Sequence, residues 1–269
     1  MALSLVPARA QTNVPAASPA AVPAVAQADQ FFHTYAQAAK LVHEGDQARA
    51  LVVMEGLVQA MTTSPWLEIA LLKRSELAES SNGALAMSGY DLVLKRLAES
   101  PYFEGASPHA KLFSSALQSA AERGIRRVRL TRIRAALARY FARYLQYPES
   151  LAKLAIFNYL DITDITDAQR RPLRYIPTGM QLKPTLSYQR YDLENVPAEP
   201  FSVSSPRLEA TTRVSEHPEK YEALILVPGR TERLHASENQ TVDGFFLAEI
   251  SNGGAVIVAS DRVLVLPVP

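Results

Sequence analysis

Residues 125–175 open with IRRVRLTRIRAALARYFARYL (Ile125–Leu145), break at YPESL (Tyr147–Leu151) and end on DAQRRPLRY (Asp167–Tyr175). In the first piece Leu130, Ile133, Leu137, Tyr140, Phe141 and Tyr144 recur at helical spacing and share one stripe, while Arg132, Arg139 and Arg143 cluster on the opposite face. Arg123, Arg126, Arg127, Arg129 and Arg134 add charge around the first turns, so eight arginines fall in the 21 residues from 123 to 143, more than solubility requires. The helix stops at Tyr147-Pro148, because the residue before a proline avoids the α region. A short helix carrying Leu151 and Leu154 then leads to Tyr159-Leu160. Asp161, Thr163, Asp164, Thr166 and Asp167 fill a turn-rich loop in which short polar side chains bond nearby backbone. Capping or solvation is expected of these aspartates rather than cation binding, since their spacing is not that of an EF-hand loop and no glycine completes a turn. A strand starts at Pro172–Ile176, with Ser187–Leu193 as its candidate partner.

N-terminal to this stretch the period is helical. Gln11–Asp29 carries Pro15, Pro19 and Pro23 at regular intervals and reads as a semi-extended linker. Ahead of it, a short apolar piece and Ala8-Arg9-Ala10 give an A-x-A arrangement of signal-peptidase type, which leads us to expect export to the periplasm or cell envelope. From Phe31, Tyr35, Ala38, Ala39 and Val42 form one helix, interrupted at Gly45-Asp46; Leu51, Met54, Leu57, Val58 and Met61 form a second, ending before Ser64-Pro65. The same events recur with Leu67, Ala70, Leu71 and Leu77, a break at Asn82-Gly83, then Tyr90, Leu94 and Leu97 before Ser100-Pro101. A helix-turn-helix unit recurring in this way resembles a tetratricopeptide repeat, with Gly45, Asp46, Ala50 and Pro65 near the family's positions; a generic helical bundle is the alternative. Two repeats need a cap, and a helix from His109 to Glu122 is expected to supply it. Stacked hairpins of this kind would offer a concave surface to a protein or peptide.

The order of events in 125–175 resembles the soluble part of the pseudopilins and bacterial pilins of type II secretion and type IV pilus systems. The resemblance rests on Tyr147 and Pro148, on Leu151 and Leu154, on Tyr159 and Leu160, and on Asp167, Pro172, Leu173, Arg174 and Tyr175, which keep the spacing of the family's Asp-to-Tyr motif. Ala168, Gln169 and Arg170 stand where the family has Pro, Trp and Gly, and no apolar half-helix precedes the segment to embed it in a filament. The resemblance therefore implies a pseudopilin-like fold used for docking to such a machine rather than for polymerisation.

From Pro197, Pro200 and Pro206 onward the period is two. Leu208–Thr212, Tyr221–Val227, Thr231–His235, Phe245–Ile250, Val256–Ala259 and Val263–Leu266 read as short strands, and Asn252-Gly253-Gly254 as a hairpin turn. They predict a small all-β sandwich or barrel. The layout, with Gly244, Leu247 and Ile250, is similar to the β-domain of type II secretion clamp proteins and of pilus-assembly lipoproteins, which implies protein binding without a cofactor.

The expected fold is thus multidomain α+β: a linker over 1–29, helical hairpins over 30–121, a long helix with a small sheet over 122–199, and a β-domain over 200–269. Charge follows the same division. Residues 28–121 and 201–269 are each acidic by three, while 122–200 is basic by six. That pattern favours arginines pairing with acidic neighbours, with binding through Arg126, Arg129, Arg132, Arg139 and Arg143 to a protein or an anionic lipid surface as alternatives. Nucleic acid is not expected, because the aromatics of this helix lie on its apolar face instead of its basic one. With no cysteine, thiolate chemistry is excluded. The five histidines are scattered and no nucleotide or nucleophile-elbow motif occurs, so no catalytic, cofactor or metal residues are assigned. Ser150-Leu151-Ala152-Lys153 spells S-x-x-K without its customary partner motifs, and no acylation by β-lactams is expected. Two functions of different class remain: an exported, non-enzymatic scaffold or adaptor of a secretion or pilus machine, meeting secretin-type or pseudopilin-type proteins, and an envelope enzyme or small-ligand protein with an inter-domain site.

Overall fold

The computed structural model describes residues 24–103, 107–167, 170–182, 185–203, 205–216, 219–227, 229–230 and 232–269. The Ala8-Arg9-Ala10 site, most of the proline-rich linker, and Ala168 and Gln169 lie outside the described residues. The chain is a mixed α+β protein, with six α-helices and three small antiparallel sheets among the described residues. Among the described residues no helix is long and apolar enough to cross a membrane.

Four helices come first: α1 (Ala24–His43), α2 (Gln47–Ala60), α3 (Trp66–Ala78) and α4 (Gly83–Glu99). Their boundaries follow local chemistry. Gly45 takes a φ of 84° behind α1, Asp46 caps α2 by accepting the Arg49 N–H at 3.1 Å, and Asn82 caps α4 by accepting that of Leu85 at 3.1 Å. α3 runs through the middle of the layer, touching α1, α2, α4 and the next helix, and almost all of its residues are buried.

That next helix, α5 (Pro108–Tyr144), is one continuous element of 37 residues, about 55 Å long. The sequence suggests two helices meeting near Gly124; the structure corrects this. Gly124 does not break the helix. It lies against Tyr90, whose ring a Cβ at this position would strike, so the glycine marks a close approach between α4 and α5. The apolar stripe of α5 also changes side midway. Phe113, Leu117, Ala120, Ala121 and Val128 join the core of the helical layer, whereas Leu130, Ile133, Leu137 and Tyr140 join a different one. At about 100° per residue the two stripes are centred roughly half a turn apart.

The second stripe organises a small module. α6 (Leu151–Ile156), a 3-10 turn (Ile162–Ile165) and the antiparallel pair β1 (Tyr175–Leu182) and β2 (Thr185–Leu193) pack on it through Leu151, Leu154, Ile165 and Leu173.

The remaining strands form two sheets: β3 (Arg207–Glu216), β4 (Glu219–Leu226) and β5 (Leu234–Ser237) in one, and β6 (Thr241–Val242), β7 (Phe245–Ser251), β8 (Gly254–Ala259) and β9 (Arg262–Pro267) in the other. The four-stranded sheet is covered on both faces, which is why β8 and β9 read as unbroken apolar runs. Val256, Val258, Val263 and Val265 point into the core shared with α1–α5; Ala255, Ile257, Leu264 and Leu266 point into the core shared with β3–β5. The Asn252-Gly253 turn docks on α1, where the Gly253 N–H donates to Asp29 and the ring of Phe32 leaves no room for a side chain at Gly254. Strands β7 and β9 rest on α1 and α5, so that side of the helical layer is covered by the chain's own sheet.

Candidate functional site

The arginines of α5 divide by position. In the proximal half nearly all meet carboxylates from distant segments. Arg127 is 5% exposed in its side chain and embraces Glu79 at the end of α3, with Nε donating at 2.9 Å and Nη2 at 2.7 Å. Its Nη1 stands 3.8 Å from Glu199, close enough for attraction but beyond a hydrogen bond. Glu199 also receives Arg123 at 3.3 Å and Arg262 at 3.1 Å, and Arg123 reaches Asp261 as well. Arg126 grips Glu194 with two bonds of 2.6 and 2.7 Å, which hold that carboxyl below the ordinary glutamate range. Behind this layer Lys73 and Glu76 pair at 2.8 Å with side chains 3% and 4% exposed; burial pushes the Glu76 carboxyl upward while the lysine opposes the shift. The Tyr90 hydroxyl donates to Glu79 at 2.5 Å, and burial raises that phenol.

Of the candidate binding arginines, Arg126 and Arg132 are therefore committed within the chain, the latter to Asp164 at 3.1 Å. Arg129 donates to the Thr166 carbonyl at 2.6 Å, with its Nε buried and unpartnered. Arg139 donates to the Tyr159 carbonyl at 2.9 Å, and Arg143 lies 5.5 Å over the Tyr144 ring; neither makes an ion pair among the described residues. Arg123, Arg126, Arg129 and Arg171 line a cleft of about 310 Å³, together with Asp167 and Asp261, whose carboxylates answer their charge.

The motif residues converge in two places. Tyr147 packs its ring at 4.6 Å from that of Phe141 and 4.7 Å from that of Tyr191, and its N–H donates to the Tyr188 carbonyl of β2. The Tyr175 hydroxyl donates to the Pro148 carbonyl at 2.7 Å, pinning the chain after α5 to β1. Asp167 closes its turn by accepting the Arg171 N–H at 2.8 Å and pairing with the Arg171 guanidinium, and Pro172 bridges back to Thr166. The other aspartates act locally: Asp161 accepts from the N–H and hydroxyl of Thr163, which lowers its pKa, and Asp164 holds Arg132. In the S-x-x-K sequence Lys153 pairs with Glu149 at 3.0 Å, and Ser150 stands at the N-terminus of α6 without capping it.

Three features escape the sequence reading. The Arg127–Glu79 pair joins residues 48 apart, with no local signal. On β7, Glu249 accepts a bond from the Tyr102 hydroxyl; burial and the nearby Glu238 raise its carboxyl to about 7. Glu238, itself raised by burial, lines a cleft of about 250 Å³ with Tyr102, Ser107, His109 and Phe246, and the imidazole of His109 stacks on the Phe246 ring. Thirdly, Leu145, Ile156 and Phe157 are exposed at the distal end of α5; the signal was Ile156-Phe157, two apolar residues off the Leu151/Leu154 period. Among the described residues no group of three His, Cys, Asp or Glu side chains is placed to hold a metal ion. Comparison with known protein families, with curated proteins and with solved structures finds no match.

Proposed function

We propose that the chain is an exported, non-enzymatic scaffold or adaptor of an envelope machine of type II secretion or type IV pilus type, acting by protein–protein binding. In this reading α1–α4 are repeat-like helical hairpins, the distal half of α5 with α6, β1 and β2 is a pseudopilin-like module, and β3–β9 make a small β-sandwich. The observation that carries it is the convergence of the motif residues: Tyr147 and Pro148 are tied to Tyr175 and Tyr191, and Asp167 closes the turn that feeds β1. The arrangement gives a long helix capped by a small antiparallel pair, with polar and aromatic side chains spent on holding the module together. Secretin-type or pseudopilin-type components are the partners this predicts.

Affinity purification of the full chain from an envelope fraction tests the reading. Recovery of such components supports it. Recovery of none, with a co-purifying small ligand, favours the second reading, an envelope enzyme or ligand-binding protein, whose site would be the cleft beside Glu238, Tyr102 and His109 at the seam of helices and sheet.

A further inference from the structure

The distal end of α5 concentrates what the rest of the molecule spreads out. Of the eleven large apolar or aromatic side chains exposed among the described residues, five lie between residues 144 and 162: Tyr144, Leu145, Ile156, Phe157 and Ile162. Leu145 is 72% exposed, Ile156 74% and Phe157 48%. Two of them are held by ring contacts. Tyr140 is rooted in the module's core, Tyr144 packs 4.5 Å from it, and Phe157 lies 5.9 Å from Tyr144. Leu145 ends the helix with a φ of 54°, its N–H donating to the Phe141 carbonyl. This left-handed position favours glycine or asparagine, so leucine here is conformationally unfavourable and buries little in return.

Two arginines stand near the patch, Arg143 over the Tyr144 ring and bonded to Tyr159, and Arg139 on the Tyr159 carbonyl. Arg139 and Arg143 make no ion pair among the described residues, in contrast to Arg123, Arg126, Arg127 and Arg132 on the same helix. Lys153 is matched by Glu149, and the carboxylate of Asp161 is held by Thr163. Arg139 shares a cleft with Asp161 and Asp164, but Thr163 and Arg132 hold those carboxylates. An apolar tip beside guanidinium groups in no ion pair has the composition of an interfacial lipid site, where rings and branched chains enter the headgroup–acyl boundary and arginines meet phosphate.

We infer that the distal end of α5, with α6, is a docking surface for an anionic phospholipid bilayer, inserting Leu145, Ile156 and Phe157 and placing Arg139 and Arg143 at the phosphates. The contact is shallow and reversible, since a few apolar side chains and two cations give far less than a spanning helix. It does not depend on the adaptor reading, because it is fixed by the tip alone.

Co-sedimentation of the full chain with phosphatidylcholine vesicles, with and without phosphatidylglycerol, tests it. Binding is expected to the mixed vesicles, weaker on neutral ones and weakened by salt. Leu145→Asn combined with Ile156→Ser should lower partitioning about tenfold. Leu145→Asn suits the left-handed position, so lost binding would not reflect lost folding. Arg143→Gln should reduce binding to the mixed vesicles only. Val52→Ser, which removes an equally exposed apolar side chain from α2, should change nothing. Equal binding to both vesicle types, binding to neither, or a loss for Val52→Ser matching that of the tip variant overturns the inference. So does a tip variant that leaves vesicle binding intact while abolishing a concentration-dependent dimer in light scattering, which would make the patch an interface between copies of this chain.

Discussion

The two halves of α5 are built from the same residue types at similar spacing, yet they do opposite things with them. In the proximal half the arginines are internal. Arg123, Arg126 and Arg127 tie the helix to Glu79 of the helical layer, to Glu194 and Glu199 of the segment leading to the sheets, and to Asp261 between β8 and β9. In the distal half, beyond the Arg132–Asp164 pair, Arg139 donates to a backbone carbonyl and Arg143 bonds Tyr159 and lies over the Tyr144 ring; neither makes an ion pair among the described residues, and apolar side chains nearby face outward. A basic stripe in a sequence is therefore not one feature. Where carboxylates from other segments converge it is structural mortar, and at Arg139 and Arg143 it makes no ion pair among the described residues.

The largest effect should come from breaking the proximal half. Arg127→Ala leaves the partly buried Glu79 without its cation and takes a positive charge away from Glu76 and Glu199, and should cost about 3–5 kcal/mol in urea unfolding. Arg127→Met together with Glu79→Gln removes both charges, keeps an acceptor for the Tyr90 hydroxyl, and should recover most of that loss. If the double variant is no better than Arg127→Ala, packing rather than charge is what Arg127 contributes.

Next in size is Leu137→Ala, in the core of the small module, at about 2–4 kcal/mol. Hydrogen exchange tells whether the halves are separate cooperative units. Amides of α6, β1 and β2 should lose protection while those of β7–β9 keep theirs; equal loss in both would mean that the long helix couples them into one.

Much of this was legible in the sequence. Gly45-Asp46 and Asn82-Gly83 end and start helices through chemistry contained within a few residues, and the alternation at Leu208–Thr212 and the Asn252-Gly253 turn are equally local. What was hidden depends on contacts far apart along the chain. Gly124 carries no mark to distinguish a break from a close approach, because the ring it accommodates belongs to Tyr90. The change of stripe between Val128 and Leu130 disrupts helical periodicity just as a break would, although the backbone continues and only the neighbour changes. Glu199 and Phe201 lie among Pro197, Pro200 and Pro206, which read only as the start of the β-domain, yet one anchors three arginines and the other packs under Tyr35, whose hydroxyl donates to its carbonyl.

The smallest effect sharpens the comparison from the other side, through a carboxyl held by a phenol instead of a guanidinium. Glu249 is raised to about 7 mainly by burial, with the Tyr102 bond opposing the shift and Glu238 adding to it. An unfolded glutamate titrates near 4.5, so between about pH 4.5 and 7 the folded chain binds the proton that the unfolded chain has released. Stability from this group is complete below the lower value, falls as pH rises through that window, and is level above it. Allowing for partial exposure, the loss at pH 8 is about 1–2 kcal/mol. Glu249→Gln keeps an acceptor for Tyr102 and carries no proton to lose, so it should match the natural chain at pH 4 and exceed it by that amount at pH 8. Unfolding by urea at the two pH values measures both differences. A constant gap at both would place the effect in packing, whereas a gap that opens only above pH 5 would show that this seam, unlike the arginine network of α5, is held best when its carboxyl is neutral.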